Sequence, residues 1–291
     1  MTMRGQKRLL GAIFLGLPLG WMLFFVVLPM FLVFWLSFTD YNILNAPEWI
    51  GVGNYQDLLS DPLFWTAVRN TLYYTAVIVP VGLVLSLLLA VFVNQRLPAI
   101  SLFRTIFYAP VLMPIVAAAL VWMLFYNPAT GLFNWLLSLM GVPAQQFLTS
   151  RSLAMPSLIV MSLWKSVGFN MVIFLAGLQA IPRELYEAAS LDGAARVRSF
   201  FSITVPLLTP SFIYVITTSL IQSFQVFSQI YVMTNGGPDN ATTTIVHQIY
   251  RNAFVHLDMG YASAMAVLLF LVLVIASLAN VRLLARESAG A

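Results

Sequence analysis

Residues 187–194 read Glu187-Ala188-Ala189-Ser190-Leu191-Asp192-Gly193-Ala194, and the polar stretch they open continues to Pro206 and Pro210. Apolar blocks long enough to cross a bilayer flank it on both sides. Across its 291 residues the chain is 60% hydrophobic and only 8% charged, with a mean hydropathy of +0.90. That balance excludes a water-soluble globule and predicts an all-α integral membrane protein. The chain has no Cys, which excludes disulfides, thiolate metal sites and cysteine nucleophiles. Its Lys and Arg residues lie in short clusters between apolar blocks rather than on a basic face interleaved with aromatics, so no nucleic acid is expected as a partner.

A helical span takes about 20 apolar residues. Six stretches qualify, at about 10–37, 64–94, 103–126, 154–181, 207–234 and 259–283. The first follows a basic flank (Arg4, Lys7, Arg8) like that of a signal peptide, but its apolar run continues to about Phe38 with no small-residue cleavage site, so it is expected to stay as a helix. With the N-terminus in the cytoplasm, 10 of the 14 basic residues fall inside, Arg69, Arg151 and Arg251 fall outside, and Lys165 sits within a span. This matches the positive-inside rule, and six spans return the C-terminus to the cytoplasm. No internal repeat or low-complexity linker divides the chain, and residues 1–291 are expected to form a single transmembrane domain.

Local signals refine the spans. Pro110 and Pro114 remove two backbone donors near the centre of the third span and predict a kink there. The loop from Thr39 to Pro62 reads as a folded surface segment, and Leu132, Phe133, Trp135, Leu136, Leu137 and Leu139 as a short interfacial helix. His247 and His256 share a loop without a neighbouring cysteine, so no metal site is expected.

In the polar stretch, Pro182 ends the fourth span and starts a new helix with Glu184 and Glu187 near its N-terminal end, where carboxylates meet the helix dipole favourably. Asp192-Gly193 then forms a turn, and a second short helix with Val197, Phe200, Phe201 and Ile203 runs back to Pro206. A helix-turn-helix over about 182–206 would lie on the cytoplasmic surface. Physically it is either a docking knob, with small residues allowing close approach and carboxylates to pair with a partner, or an amphipathic loop covering helix ends.

The pattern Glu187-Ala188-Ala189-x-x-Asp192-Gly193-Ala194, followed by Phe200, Ile203, Pro206 and Pro210, resembles the signature loop of the permease subunits of bacterial ABC importers. Val205 stands where Leu is usual. The resemblance extends to Trp164-Lys165 with Phe169-Asn170, to Ala176 through Pro182, and to Phe227 through Pro238 with Ala241-Thr242. Together these are similar to the carbohydrate-uptake branch, the permeases for maltose-like oligosaccharides and glycerol phosphate. The resemblance implies an inner-membrane permease whose loop is a coupling helix seated in a cytoplasmic ATPase, with Glu187, Ala188, Ala189, Leu191, Asp192 and Gly193 at that contact. It further implies a second permease, two ATPase subunits, an extracytoplasmic solute-binding protein and a sugar as partners, alongside membrane lipid.

The chain lacks a Gly-rich phosphate loop. Of its two lysines only Lys165 precedes a Ser, and Leu158 to Leu163 before it contain no Gly. No catalysis and no cofactor are therefore expected in this chain, and ATP and Mg would be bound by the partner ATPase. All ten acids lie in loops or tails, which weakens the alternative of a free-standing secondary carrier or channel acting as a homo-oligomer. For the substrate path, helix rise places Lys165 about 15 Å and Gln225 about 14 Å from the outer ends of their spans. Gln222, Gln225 and Gln229 are spaced by three and four, as on one helix face, with Asn170 one to two turns inward of Lys165 and with Phe224, Phe227 and Tyr231 nearby. Amides beside ring faces suit a polyhydroxylated sugar, and they equally suit hydrogen bonds between helices. Lys165 would meet an anionic group, pair with a partner's acid, or orient the cavity wall.

Overall fold

The computed structural model describes residues 14–95 and 97–289, with side chains described as far as Arg282. The N-terminal basic flank (Arg4, Lys7, Arg8) and Arg96 lie outside the described residues, as does the side chain of Arg286. The chain divides into two compact units, one made of the residues up to Asp61 with Gln248–Phe270, the other of Pro62–His247 with the residues from Leu271 onward.

In the first unit, α1 (Phe14–Leu36) contains a π turn at Leu23–Val27. Its apolar side chains are exposed, Phe14 at 75% and Trp21 at 65%, as a helix facing lipid would present them. The segment after it is folded, as expected. Strands β1 (Thr39–Asp40) and β2 (Glu48–Trp49) pair antiparallel, and α2 (Gly53–Ser60) packs beside them. Asn54 clamps this segment by donating to the carbonyls of Ser37 (3.0 Å) and Thr39 (2.9 Å).

The second unit holds α3 (Pro62–Val93), α4 (Ile100–Leu112), α5 (Ile115–Phe125), α6 (Leu132–Leu139), α7 (Ala154–Ala180), α8 (Arg183–Leu191), α9 (Arg196–Leu207), α10 (Thr209–Phe224), α11 (Ser228–Met233) and the start of α12 (Ile245–Tyr250). The last helix, α13 (Met259–Ala289), contributes residues to both units. Helices α1, α3, α7 and α13 are each long and apolar enough to cross a membrane, and two bent pairs bring the number of spans to six.

The bends go beyond the sequence reading. The third span, expected as one kinked helix, is broken into α4 and α5 at 103°. Met113 is the cause, because a residue before proline is driven out of the helical region, and it sits at φ −73°, ψ 136° ahead of Pro114. Asp61 before Pro62 and Ile181 before Pro182 obey the same rule, so one local clash delimits three elements. The fifth span, expected as one helix over about 207–234, bends by 67° at Leu208 between Pro206 and Pro210 and breaks again at Gln225-Val226-Phe227.

Two apolar cores stack along α3 and α7. One gathers Tyr74, Trp122, Met155, Leu158 and Ile230, and the other Val93, Met171, Phe174, Leu178 and Leu208. The stretch of α7 between them, 162–170, carries Ser162, Lys165, Ser166 and Asn170. That polar gap between two apolar layers places the site.

Candidate functional site

A cavity of about 240 Å³ opens where the two broken spans meet α3 and α7. Its wall includes Ile115, the first residue past the break after Met113, and Val226 and Phe227 from the break after Gln225. Broken backbone inside a bilayer is tolerated only when its polar groups find partners or line a cavity. Side chains supply the partners at both breaks. Lys165 Nζ donates to the Val111 carbonyl at 3.0 Å, which has lost its helical N–H partner to the break. Thr244 Oγ1 donates to the Val226 carbonyl at 3.0 Å.

All five residues singled out for the substrate path, Lys165, Asn170, Gln222, Gln225 and Gln229, line this cavity. They are not equivalent. Gln229 donates to Tyr74 Oη (3.2 Å) and Ser162 Oγ (3.3 Å), and Asn170 donates to Ser219 Oγ (3.3 Å), so these amides tie helices together. Gln222 and Gln225 are exposed to the cavity and make no side-chain hydrogen bond within the described residues. The single helix face expected for the three glutamines is not present, because the break separates Gln229 on α11 from Gln222 on α10. They converge through the break instead. Of the three aromatic rings expected there, Phe227 lines the cavity, Tyr231 stacks behind it at 5.4 Å between centroids, and Phe224 is buried.

Tyr74, Ser162 and Ser219 were missed by the sequence reading. Their signal is nonetheless regular, since Asn70, Tyr74, Gly82 and Ser86 repeat at multiples of four along α3, and Ser162, Ser166 and Asn170 along α7. Such a polar stripe in an apolar span marks the face turned into the bundle. Outside the cavity, the buried Tyr126 hydroxyl donates to the Ser157 carbonyl at 2.9 Å.

The polar stretch 182–206 forms α8, a turn and most of α9, with Phe200–Thr204 in a π turn. Helix α8 ends in a Schellman motif. Gly193 lies at φ +74°, its N–H bonds the Ser190 carbonyl (3.1 Å), and the Ala194 N–H bonds the Ala189 carbonyl (2.9 Å). The turn projects Leu191 at 88% exposure, with Glu187, Ala188, Asp192 and Gly193 also exposed and Ala189 half-buried. Tyr186 Oη pairs with Thr204 Oγ1 at 2.8 Å and so fixes α8 to α9. Tyr186→Phe, which keeps the ring and loses this bond, is expected to lower the stability of the detergent-extracted protein by about 1 kcal/mol, the scale of one net hydrogen bond, with the amount of protein in the membrane unchanged. Thermal stability at the level of the native chain would show that the bond does not stiffen the turn.

Long apolar helices, two of them broken around a polar cavity, together with an exposed polar turn, define a multi-pass transport permease. The profile of the family described as binding-protein-dependent transport system inner membrane component matches residues 82–288, and the chain belongs to that family. It is 37% identical to the trehalose/maltose transport system permease protein MalF of Thermococcus litoralis, across 85% of this chain and 84% of the relative. It is 35% identical to the sulfoquinovosyl glycerol transport system permease protein SmoG of Agrobacterium fabrum, across 84% and 80%. The fold is similar to that in the crystal structure of a bacterial alginate ABC transporter in complex with alginate pentasaccharide-bound periplasmic protein, with a TM-score of 0.86, 26% identity, and coverage of 98% and 96%.

Proposed function

We propose that the chain is one permease subunit of an ATP-driven importer for a sugar or sugar derivative, with both termini in the cytoplasm. It would form half of the translocation path beside a second permease. Two ATPase subunits would engage the 182–206 turn, and an extracytoplasmic binding protein would deliver the sugar. ATP and Mg would be bound in the ATPase, because this chain has no phosphate loop. The observation that carries the reading is the cavity at the two span breaks, where Gln222 and Gln225 offer amides that make no side-chain hydrogen bond among the described residues, beside the Phe227 ring. The named relatives transport trehalose, maltose and sulfoquinovosyl glycerol, which is the support for a sugar.

The exposed turn supports the coupling role. Leu191 presents an apolar side chain to solvent at the tip, and Glu187 and Asp192 flank it with carboxylates. Closure of the ATPases would move this turn and, through α8 and α9, the base of the bent fifth span.

The test is co-expression with candidate ATPase, second permease and binding-protein subunits from the same organism, then reconstitution in liposomes and sugar-stimulated ATPase and uptake. Interhelical hydrogen bonds in membranes average only about 0.6 kcal/mol. Gln222→Ala and Gln225→Ala, which break none among the described residues, are therefore expected to leave stability unchanged while raising the sugar concentration for half-maximal uptake about tenfold. Unchanged uptake in both variants would remove these residues from the path, and uptake by the purified chain alone would overturn the importer reading.

A further inference from the structure

A second recess, about 210 Å³, lies away from the cavity, between the N-terminal ends of α3 and α7 and the loop after α11. Its titratable groups are Arg69, Tyr73, Arg151 and Asp239. Both guanidiniums are exposed, and neither makes a hydrogen bond or ion pair within the described residues. The floor is built. Asn70, buried, donates to the carbonyls of Asn240 (2.9 Å) and Thr243 (3.0 Å), and Thr71 Oγ1 accepts from the Ile245 N–H (3.1 Å). These bonds hold a loop in which Asn235, Asp239 and Asn240 all adopt positive φ, so the recess has a defined shape.

In the proposed orientation this is the outer face. Cations in outer loops run against the positive-inside tendency, yet two of the three outer arginines converge on one recess. Asp239 is the one carboxylate in the lining beside two guanidiniums, so the recess carries an excess positive charge among the described residues. We propose that the Arg69–Arg151 recess is the seat for acidic side chains of the extracytoplasmic binding protein. This rests on the importer reading above. Carboxylates fit paired guanidiniums by charge and by fork geometry, and opposite charges at a docking face steer encounter and fix register. The recess lies away from the cavity on the outward face, where a protein that must land above the path meets it, and an anionic sugar is the alternative occupant that the titration separates.

The experiment uses the complete importer in liposomes and titrates the binding protein at saturating sugar, reading ATPase activity. Arg69→Glu with Arg151→Glu is expected to raise the half-saturating binding-protein concentration about tenfold or more, with the rate at saturation retained. Arg69→Lys with Arg151→Lys, which keeps the charge, should raise it far less. Asp239→Asn should lower it, and Asn suits the positive φ at this position. That gain cannot come from misfolding. Added salt should weaken native docking and leave the double Glu variant nearly unaffected. An unchanged half-saturation in the double Glu and Asp239→Asn variants overturns the proposal. So does a shift seen only against sugar concentration, which would assign the recess to the ligand itself. If the native importer shows no stimulation by the binding protein, the importer reading falls first, and the seat falls with it.

Discussion

Gly193→Pro is expected to abolish coupling, dropping sugar-stimulated ATPase and uptake to background in an importer that still assembles in the membrane. Gly193 sits at φ +74°, and proline is locked near −65°, so the Schellman end of α8 cannot form around it. Proline also removes the N–H that bonds the Ser190 carbonyl. A misplaced proline costs about 3 kcal/mol or more, which corresponds to about a hundredfold loss in the population of the native turn. A graded series separates this from bulk. A Cβ added at 193 would meet nothing within 4 Å, so Gly193→Ala tests backbone angle alone and should lose about 1–2 kcal/mol of local stability. Gly193→Asn, which tolerates the left-handed region, should be milder still. Coupled ATPase retained in Gly193→Pro would sink the assignment of the turn to the ATPase contact. A loss equal in Ala, Asn and Pro would mean the side-chain-free surface matters rather than the turn.

The long apolar runs are legible in the sequence because a bilayer demands about 20 apolar residues and little else satisfies that length. The 182–206 turn is legible for a related reason, since its charges and its Asp192-Gly193 pair interrupt such runs. Prolines mark the break at Met113, though only the structure shows that it reaches 103°. The break at Gln225 carries no such mark. No Pro or Gly lies between Gln222 and Gln229, and the bond that stabilises the opened Val226 carbonyl comes from Thr244, 18 residues away. Periodicity therefore puts three glutamines on a continuous face that the folded chain does not have. It still identifies the right residues, because the polar side chains avoid lipid whether the helix is whole or broken.

Lys165 shows what this costs the reading of chemistry. A cation in a span invites an acid or an anionic ligand, and both expectations come from charge. In the structure its protein partner is a backbone carbonyl at the C-terminal end of α4, where a helix gathers partial negative charge. Within this chain that bond ties α7 to the carbonyl opened at the third span's break.

That bond leads to the second large expected effect. Gly168→Val should prevent α4 and α7 from packing and so lose the assembled protein. A Cβ at Gly168 would overlap the Phe107 carbonyl oxygen and lie 3.0 Å from its carbon and 3.2 Å from the Tyr108 Cα. All three obstacles are backbone, so no side chain can swing aside and the helices must part. Lys165 and Val111 meet about one turn along the same contact, and their bond at 3.0 Å opens as the helices separate. Overpacking costs about 1–3 kcal/mol even where side chains can yield, so the expected result is a drop in thermal stability and in monodisperse protein after detergent extraction. Gly20→Val is the control, since a Cβ there meets nothing within 4 Å, and it should behave as the native chain. A double-mutant cycle then tests the link to the break. If parting the helices is what removes the Lys165 bond, Gly168→Ala and Lys165→Met should cost less together than the sum of their separate losses in stability. Additive losses would show that close approach at Gly168 and the lysine on the Val111 carbonyl act independently, and a stable, monodisperse Gly168→Val would refute the contact itself.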